Sequence, residues 1–327
     1  MKYKNILIEA IMNLGDLVAL TAIIPLIKKY NPEAKVTFLV KEGFDDLLNK
    51  VPSLDGYIVY IYKSGGGAQG IWNLAKQLKK RKFDCFISYD PRFRTELATF
   101  IANIPHRFTV GSVFGWNTKT YLFTKKVRFD DYDIDSHTTS ATFVEATRRI
   151  LGIDKVHEQC TPYVKDIRPC LNCLLGGDVR YITLSVATKS EKRSWPAINW
   201  SELINRLSEI TDKYIILIGT KEDSILSSKI TENVNDSSKI IDLCGKTSLD
   251  ELINLLSHSE LSINIDNGVG HLAAALQRPT ITLFPTADPK RFIPVGPLSI
   301  AVQSKREINV SDVLRKVSQL NHILLEV

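Results

Sequence analysis

Between Leu261 and Pro289 the chain reads LSINIDNGVGHLAAALQRPTITLFPTADP. A short apolar run, Leu261 to Ile265, leads into Asp266-Asn267-Gly268-Val269-Gly270-His271. An Ala/Leu-rich segment to Gln277 and a second apolar run, Thr280 to Phe284, follow. Run, glycine turn, helix former, run is the pattern of a β-α-β unit. Two glycines between strand end and helix start let the backbone approach a ligand closely. The N–H groups and positive dipole end of the helix then favour a phosphate. Asp266 and His271 bracket that turn, where strand-end loops converge in open α/β sheets. The same residues also suit an ordinary core unit, with Asp266 as turn former and His271 as a first-turn residue.

The alternation extends over most of the chain. Strand-like runs at Asn5–Ala10, Lys35–Val40, Tyr57–Ile61 and Asp84–Ser88 alternate with helical stretches at Leu17–Tyr30, Phe44–Asn49, Gln69–Lys82 and Thr95–Ala102. Ile11–Asp16 reads as a loop. Phe108–Val113 and Tyr121–Phe129 read as strands around Gly111 and Gly115, and Ser136–Leu151 as a helix. The pattern restarts with strands at Tyr181–Val186, Tyr214–Gly219 and Ile240–Leu243 and helices at Asn199–Ile210, Asp223–Val234 and Ser248–His258. The opening unit completes that sheet, and Val310 to Leu325 reads as a last helix. Strands alternating with helices of this size predict parallel sheets with helices on both faces, an α/β fold. We expect a first domain over 1–165, a second over 178–308 and a C-terminal helix over 309–327. The segment Lys155–Gly177 would connect them, and a cleft between the two would be lined by strand-end loops.

Composition narrows the function classes. A length of 327 residues is comfortable for two domains. The net charge of +6 suits an anionic substrate or a membrane surface without demanding nucleic acid, and no long basic run with interleaved aromatics is present. Asn5, Glu9, Asn13 and Asp16 interrupt the N-terminal apolar run too early for a signal peptide, and no stretch of about 18 uninterrupted apolar residues exists. We expect a cytoplasmic protein with at most peripheral membrane contact. Five cysteines argue against a disulfide framework, and Cys170-Leu171-Asn172-Cys173, with Cys160 nearby, lacks a second pair at metal-ligand spacing. No metal site is predicted.

Several strand-end loops carry candidate chemistry. Asn13-Leu14-Gly15-Asp16 ends the first strand-to-helix turn, placing Asp16 either as a general base or as a helix N-cap. Lys189 to Trp195, KSEKRSW, follows the first strand of the second domain, where basic residues can neutralise a diphosphate leaving group. Glu222 or Asp223, just beyond Gly219, suits ribose hydroxyls or a helix first turn. Gly65, Gly67 and Gly70 formally match GxGxxG, with Asp90 about 20 residues on, which keeps a nicotinamide-binding reading open. Lys63, Arg92, Arg94, Lys119, Lys125, Lys126 and Arg128 make the first domain's loops basic and suit an acidic acceptor.

ILIEAIMNLGDLVALTAIIPLIKKYNPEAKVTFLV and LCGKTSLDELINLLSHSELSINIDNGVGHLAAAL together resemble the glycosyltransferase family 9 heptosyltransferases of lipopolysaccharide core assembly. The likeness carries the S/N-L-G-D turn, the G-x-[ST]-x-L segment and the D-[ST]-G-x-x-H-x-A-A-A signature. The resemblance implies a GT-B fold, two Rossmann-like domains with parallel sheets facing across a cleft. It implies inverting transfer of a heptose from an ADP-heptose co-substrate to an acidic inner-core or other surface-glycan acceptor, with no obligatory cofactor or metal. Asp16 matches the general base, and Gly15 would keep the backbone close to the donor. Arg193, with Lys192 beside it, matches the residue that stabilises the leaving diphosphate. Asp223, with Glu222 as fallback, matches the ribose ligand. Thr188, Asp266, Asn267, Gly268 and His271 complete the donor set, with the loop amides meeting the diphosphate. Arg94-Thr95 matches a basic-Ser/Thr pair on the acceptor side. Peripheral contact with the cytoplasmic face of the inner membrane is part of the expectation.

Asn267 replaces the usual small hydroxyl residue, Gly270 stands where a bulkier one is common, and Phe284-Pro285-Thr286 lacks the usual glycine. These departures lie on or near the donor side. They keep alternatives in view: another nucleotide sugar, a protein acceptor, or a catalytically silent nucleotide-sugar binder. The nicotinamide-dependent oxidoreductase stays as a reading of a different class.

Overall fold

Each apolar run is too short to bury itself and needs neighbours on both edges and both faces, which parallel packing supplies. The computed structural model describes residues 3–61, 67–111, 122–127, 131–154, 160–170, 175–304 and 306–325, with backbone alone from 321. Lys63, Gly65, Gly115, Lys119, Tyr121, Arg128, Leu171, Asn172 and Cys173, named above, lie outside the described residues. The chain divides into two units, Met1–Pro162 and Tyr163–Val327.

In the first unit the order is β1 (Asn5–Glu9), α1 (Leu14–Leu20), α2 (Ile23–Tyr30), β2 (Lys35–Lys41), α3 (Asp45–Leu48) and β3 (Gly56–Tyr60). Then come α4 (Ala68–Arg81), β4 (Cys85–Ser88), α5 (Phe93–Ile101), β5 (His106–Thr109), β6 (Lys125–Lys126) and α6 (Thr139–Leu151). The sheet runs β3-β2-β1-β4-β5-β6, with every pair parallel. The strand order reverses between β1 and β4, so the crevice for a ligand lies beyond Glu9 and Ser88. Leu7, Ile58, Leu74, Leu78, Phe86 and Ala98 form a buried core under α4 and α5.

Two expectations are corrected here. The predicted single helix over Leu17–Tyr30 is two, because Pro25 has no N–H to give the Thr21 carbonyl one turn back and its ring crowds that position. The predicted loop Ile11–Asp16 ends early, since α1 already starts at Leu14 with Asn13 as its N-cap residue. Asp16 is therefore the third helical residue and not the cap.

The second unit contains β7 (Tyr181–Ser185), α7 (Ala197–Ile210), β8 (Tyr214–Ile218), α8 (Ser224–Thr231), β9 (Ile240–Asp242) and α9 (Leu249–His258). They are followed by β10 (Leu261–Ile265), α10 (Gly268–Ala275), β11 (Thr280–Leu283), α11 (Pro289–Phe292), β12 (Ser299–Val302) and α12 (Val310–Leu325). The sheet runs β12-β11-β10-β7-β8-β9, again all parallel, and its order reverses between β7 and β10. The sixth strand β12 and the short α11 add to the elements that the sequence pattern predicts.

The two faces of this sheet differ. Ile182, Leu184, Ile215, Leu217, Ile263, Ile265 and Ile281 belong to an aliphatic core with Trp200, Leu203 and Val313. The opposite face is small and polar: Asn264 pairs in register with Thr282 on one side and Ser185 on the other, and Ser262 with Thr280 and Thr183. All six are buried. This low floor lets α10 approach closely: a Cβ at Gly270 would lie 3.2 Å from Thr282 Oγ1 and 3.5 Å from Asn264 Cβ. A branched aliphatic side chain there would hold the helix away.

The segment after Pro162 is no bare linker. Val164 N–H donates to Ala275 O at 3.0 Å, and Arg168 reaches Asp166 at 2.6 Å and Asp250 at 2.5 Å. Residues 163–170 form a strap over the second unit.

Candidate active site

The carboxyl end of β1 places Glu9 at the first unit's switch point. Its side chain is 1% exposed. Ser88 Oγ donates to Oε2 at 2.5 Å, and Thr95 Oγ1 to Oε1 at 2.7 Å. Arg92 lies 3.7 Å away and bonds Asp90 at 3.0 Å. Burial pushes the Glu9 carboxyl up to about 7, against the pull of Ser88, Thr95 and Arg92, while Asp90 adds to the rise. Sequence reasoning missed Glu9 as a site residue. The signal is present, because a carboxylate inside ILIEA sits in a strand that must be buried on both faces.

Asp16 occupies the first turn of α1, seven residues beyond Glu9, and is partly exposed. Negative charge is favoured at that end of a helix. Asn13, the N-cap residue, accepts from Lys41 Nζ at 3.1 Å through its Oδ1. Arg94 is partly exposed on the first turn of α5. Its neighbour Thr95 is 1% exposed, and its hydroxyl is committed to Glu9 and the Arg92 carbonyl. The Arg94-Thr95 pair is thus split: Thr95 turns inward and holds Glu9, whereas Arg94 stays partly exposed.

In the second unit Asn267 joins the two central strand ends. Its Nδ2 donates to Ser185 Oγ at 2.8 Å and to the Ala187 carbonyl at 2.9 Å. Its Oδ1 caps α10, accepting from Val269 N–H at 3.0 Å and Gly270 N–H at 3.4 Å. A small hydroxyl residue could accept the cap bond but has one proton to give, so asparagine does here what the usual residue cannot. The cap also engages loop amides that the resemblance would give to a diphosphate. Two of them serve Asn267, and the Gly268 amide is the one it does not engage.

Arg193 ends a 3₁₀ turn, Glu191–Arg193, and bonds Asp266 at 3.0 Å. The Asp266 side chain is 8% exposed, and burial raises its carboxyl above the usual range while Arg193 opposes the rise. Trp195 fixes this loop: its buried indole N–H donates to the Ile308 carbonyl at 2.8 Å, and its ring meets Trp200 edge-on at 4.8 Å. Lys192 is exposed beside Arg193, and Thr188 is partly buried three residues past β7. His271 lies in the first turns of α10, and burial pushes its imidazole down to about 4, so the ring is neutral near pH 7. Arg193, Asp266 and Asn267 thus meet around one loop, with Gly268 and His271 following directly on α10.

Asp223 and Glu222 sit on a separate loop, at the end of β8. Asp223 Oδ2 accepts from the Thr220 N–H at 2.7 Å and from its hydroxyl at 2.9 Å, closing a capping box. The first-turn role is therefore real for Asp223, and Glu222 is the exposed acid of the pair. Gly245 sits against this loop with φ +71; a Cβ there would lie 2.6 Å from Lys221 Cα.

The glycine run Gly65–Gly70 departs from its nicotinamide reading. Its described part, Gly67 and Gly70, follows β3, an edge strand, whereas dinucleotide sites use the central strands where the order reverses. Among the described residues no group of three or more His, Cys, Asp or Glu could hold a metal ion, and no helix is long and apolar enough to cross a membrane.

Known proteins share this architecture. Residues 71–323 match the family pattern of glycosyltransferase family 9 (heptosyltransferase). Lipopolysaccharide heptosyltransferase 3 of Escherichia coli K12 is 24% identical over 288 residues, 84% of this chain and 80% of that protein. Lipopolysaccharide core heptosyltransferase OpsX of Haemophilus influenzae is 23% identical over 312 residues, 93% of this chain and 85% of that protein. The solved structure of E. coli ADP-heptose lps heptosyltransferase II superposes with a TM-score of 0.81 at 18% identity, covering 98% of this chain and 99% of that one. That likeness shows a GT-B fold built of two Rossmann-like units. With the family pattern spanning most of its length, the chain belongs to glycosyltransferase family 9, the heptosyltransferases.

Proposed function

We propose that the protein transfers a heptose from ADP-heptose to a lipopolysaccharide-core or related surface-glycan acceptor, with inversion at the anomeric carbon. The second unit binds the nucleotide sugar and the first receives the acceptor. Asp16 takes the proton of the acceptor hydroxyl as its oxygen attacks the anomeric carbon. The bond from that carbon to the diphosphate breaks, and the charge passing to ADP is met by Arg193, Lys192 and the Gly268 amide. Asp266 and the neutral His271 orient the donor, and Glu222, or the remaining oxygen of Asp223, meets the ribose. Gly15 and Thr188 line the donor, and Arg94 steadies an acidic acceptor. No cofactor or metal is required in this scheme. The enzyme works in the cytoplasm, peripherally at the inner face of the membrane.

One observation carries the reading. A guanidinium is locked 3.0 Å from a buried carboxylate, beside a capped helix N-terminus, at the reversal point of the second sheet. That combination suits an anionic leaving group on a polar sugar.

Asp16→Ala tests the base. Transfer is expected to fall by about 10²–10⁴-fold with donor affinity nearly unchanged in calorimetry. As a first-turn acid that is not the cap residue, Asp16 gains about 1 kcal/mol from the helix dipole. Retained turnover would overturn the assignment. The hydrogen bonds of Asn267 to β7 favour a second reading on the donor side alone, a different nucleotide sugar with the same chemistry. Parallel titration with ADP-heptose, ADP and a UDP-sugar separates the two.

A further inference from the structure

Helix α4 presents one face to the core and a different kind of face outward. Leu74, Ala75 and Leu78 are buried, while Trp72, Lys76, Lys79 and Lys80 are exposed along the other side at helical spacing. Trp72 is 48% exposed, unusual for so large an apolar ring, and Lys76 Nζ lies 5.6 Å from its centroid. From Ala68 to Lys82 there is no acidic residue, while Lys76, Lys79, Lys80, Arg81 and Lys82 contribute +5, against a net +6 for the whole chain. Lysines in the last turn of a helix complement its dipole, but Trp72 and Lys76 lie outside that turn and the dipole does not account for them.

The neighbouring helix continues the pattern. α5 packs beside α4 over the same core. It exposes Phe93 and Phe100, one heptad apart, at 61% and 49%. Arg107 stacks 5.4 Å from the Phe100 ring. The one acid of α5, Glu96, is 1% exposed and adds no negative charge to the surface. Aromatic rings and cations without intervening acids are what an anionic bilayer recognises: the rings settle at headgroup level, and each nearby Lys or Arg adds Coulomb attraction.

We propose that the outer faces of α4 and α5 form a docking surface for an anionic phospholipid bilayer, with Trp72 entering the headgroup layer and Lys76, Lys79 and Lys80 meeting lipid phosphates. The proposal deepens the peripheral location proposed above by assigning it a surface, and it rests on that reading only for its purpose.

The test is co-sedimentation of the full chain with vesicles of phosphatidylcholine alone or mixed with phosphatidylglycerol. Wild type is expected to partition onto the mixed vesicles, less at high salt, and not onto phosphatidylcholine. Lys76→Gln, Lys79→Gln and Lys80→Gln should each weaken partition about fivefold, and together roughly a hundredfold. Trp72→Ala should weaken it about tenfold. The three lysines are exposed, so circular dichroism and thermal unfolding of their variants should match wild type, whereas Trp72→Ala should keep the wild-type circular dichroism spectrum and unfold at a somewhat lower temperature. Equal binding by the triple variant, binding to neutral vesicles, or indifference to Trp72→Ala with heparin competing fully would each overturn the proposal. The last outcome would mark a site for a polyanion. Transfer to a deacylated, soluble acceptor should be unchanged in every variant. If transfer fails for all of them, wild type included, the functional reading falls while sedimentation still decides this one.

Discussion

Glu9 and His271 give the protein two opposed responses to pH. Folded, Glu9 keeps its proton up to about pH 7, whereas an ordinary glutamate loses it near 4.5. Between those values the folded chain binds a proton that the unfolded chain has lost, so its contribution to stability falls as pH rises and levels off above 7. His271 runs the other way: unfolded imidazole takes a proton below about 6.5, and the folded ring resists until about pH 4. Its contribution falls as pH drops through that window. Thermal unfolding across this range should show the wild type flattened by the two slopes. Glu9→Gln should become steeper in its loss toward acid, and His271→Gln should lose stability toward neutral pH. Parallel profiles for all three would refute the pairing. Asp266, Asn267 and Arg193 are legible in the sequence because glycines, a strand end and a tryptophan fix their places. What they bond to is not, since Asn267 donates to Ser185 and Asp266 accepts from Arg193 across more than seventy residues of chain. Glu9 is hidden for the same reason: Ser88 and Thr95 reach it only after β1 and β4 have paired.

Elements are held at set distances by residues too small to push back. Gly245 lets the loop after β9 lie against the loop after β8, where its N–H donates to the Gly219 carbonyl at 2.9 Å. Gly245→Ala combines a left-handed backbone with a Cβ only 2.6 Å from Lys221 Cα and should cost about 1–3 kcal/mol in denaturant unfolding. Gly270→Ala meets its neighbours at 3.2 Å and 3.4 Å and should cost less, because a hydroxyl and a proline ring can yield by tenths of an ångström. Equal losses would show that the floor beneath α10 is not what sets its height. Most elements are readable from period and punctuation. The break between α1 and α2 is written in Pro25, though an amphipathic run on both sides disguises it. β12 is an edge strand with mostly half-buried residues, so its four positions lack the apolar contrast that marks the inner strands.

Both units carry a complete six-stranded sheet with a reversal point of its own. The second unit, expressed from Tyr163 onward, is therefore expected to fold cooperatively and to bind ADP within about tenfold of the full chain, while residues 1–162 alone bind none. Calorimetry on the two halves decides this, and nucleotide binding by the first half would reverse the proposed division of labour. The restart of the strand-helix alternation makes two units readable from sequence. The strap is not readable, because Asp166, Arg168 and Asp250 look like ordinary surface charge until the fold brings them together. Within it Arg168 draws the Asp166 carboxyl down to about 2, and Asn254 adds a hydrogen bond to the same group at 3.4 Å. This strap also sets an order of events during synthesis. Arg168 emerges directly after the first unit, but Asp250 follows 82 residues later. At about 5–20 residues per second the ribosome leaves the strap without that anchor for roughly 4–16 s. The first unit can close during that interval, whereas the second must wait for α9 before its own opening segment is sealed.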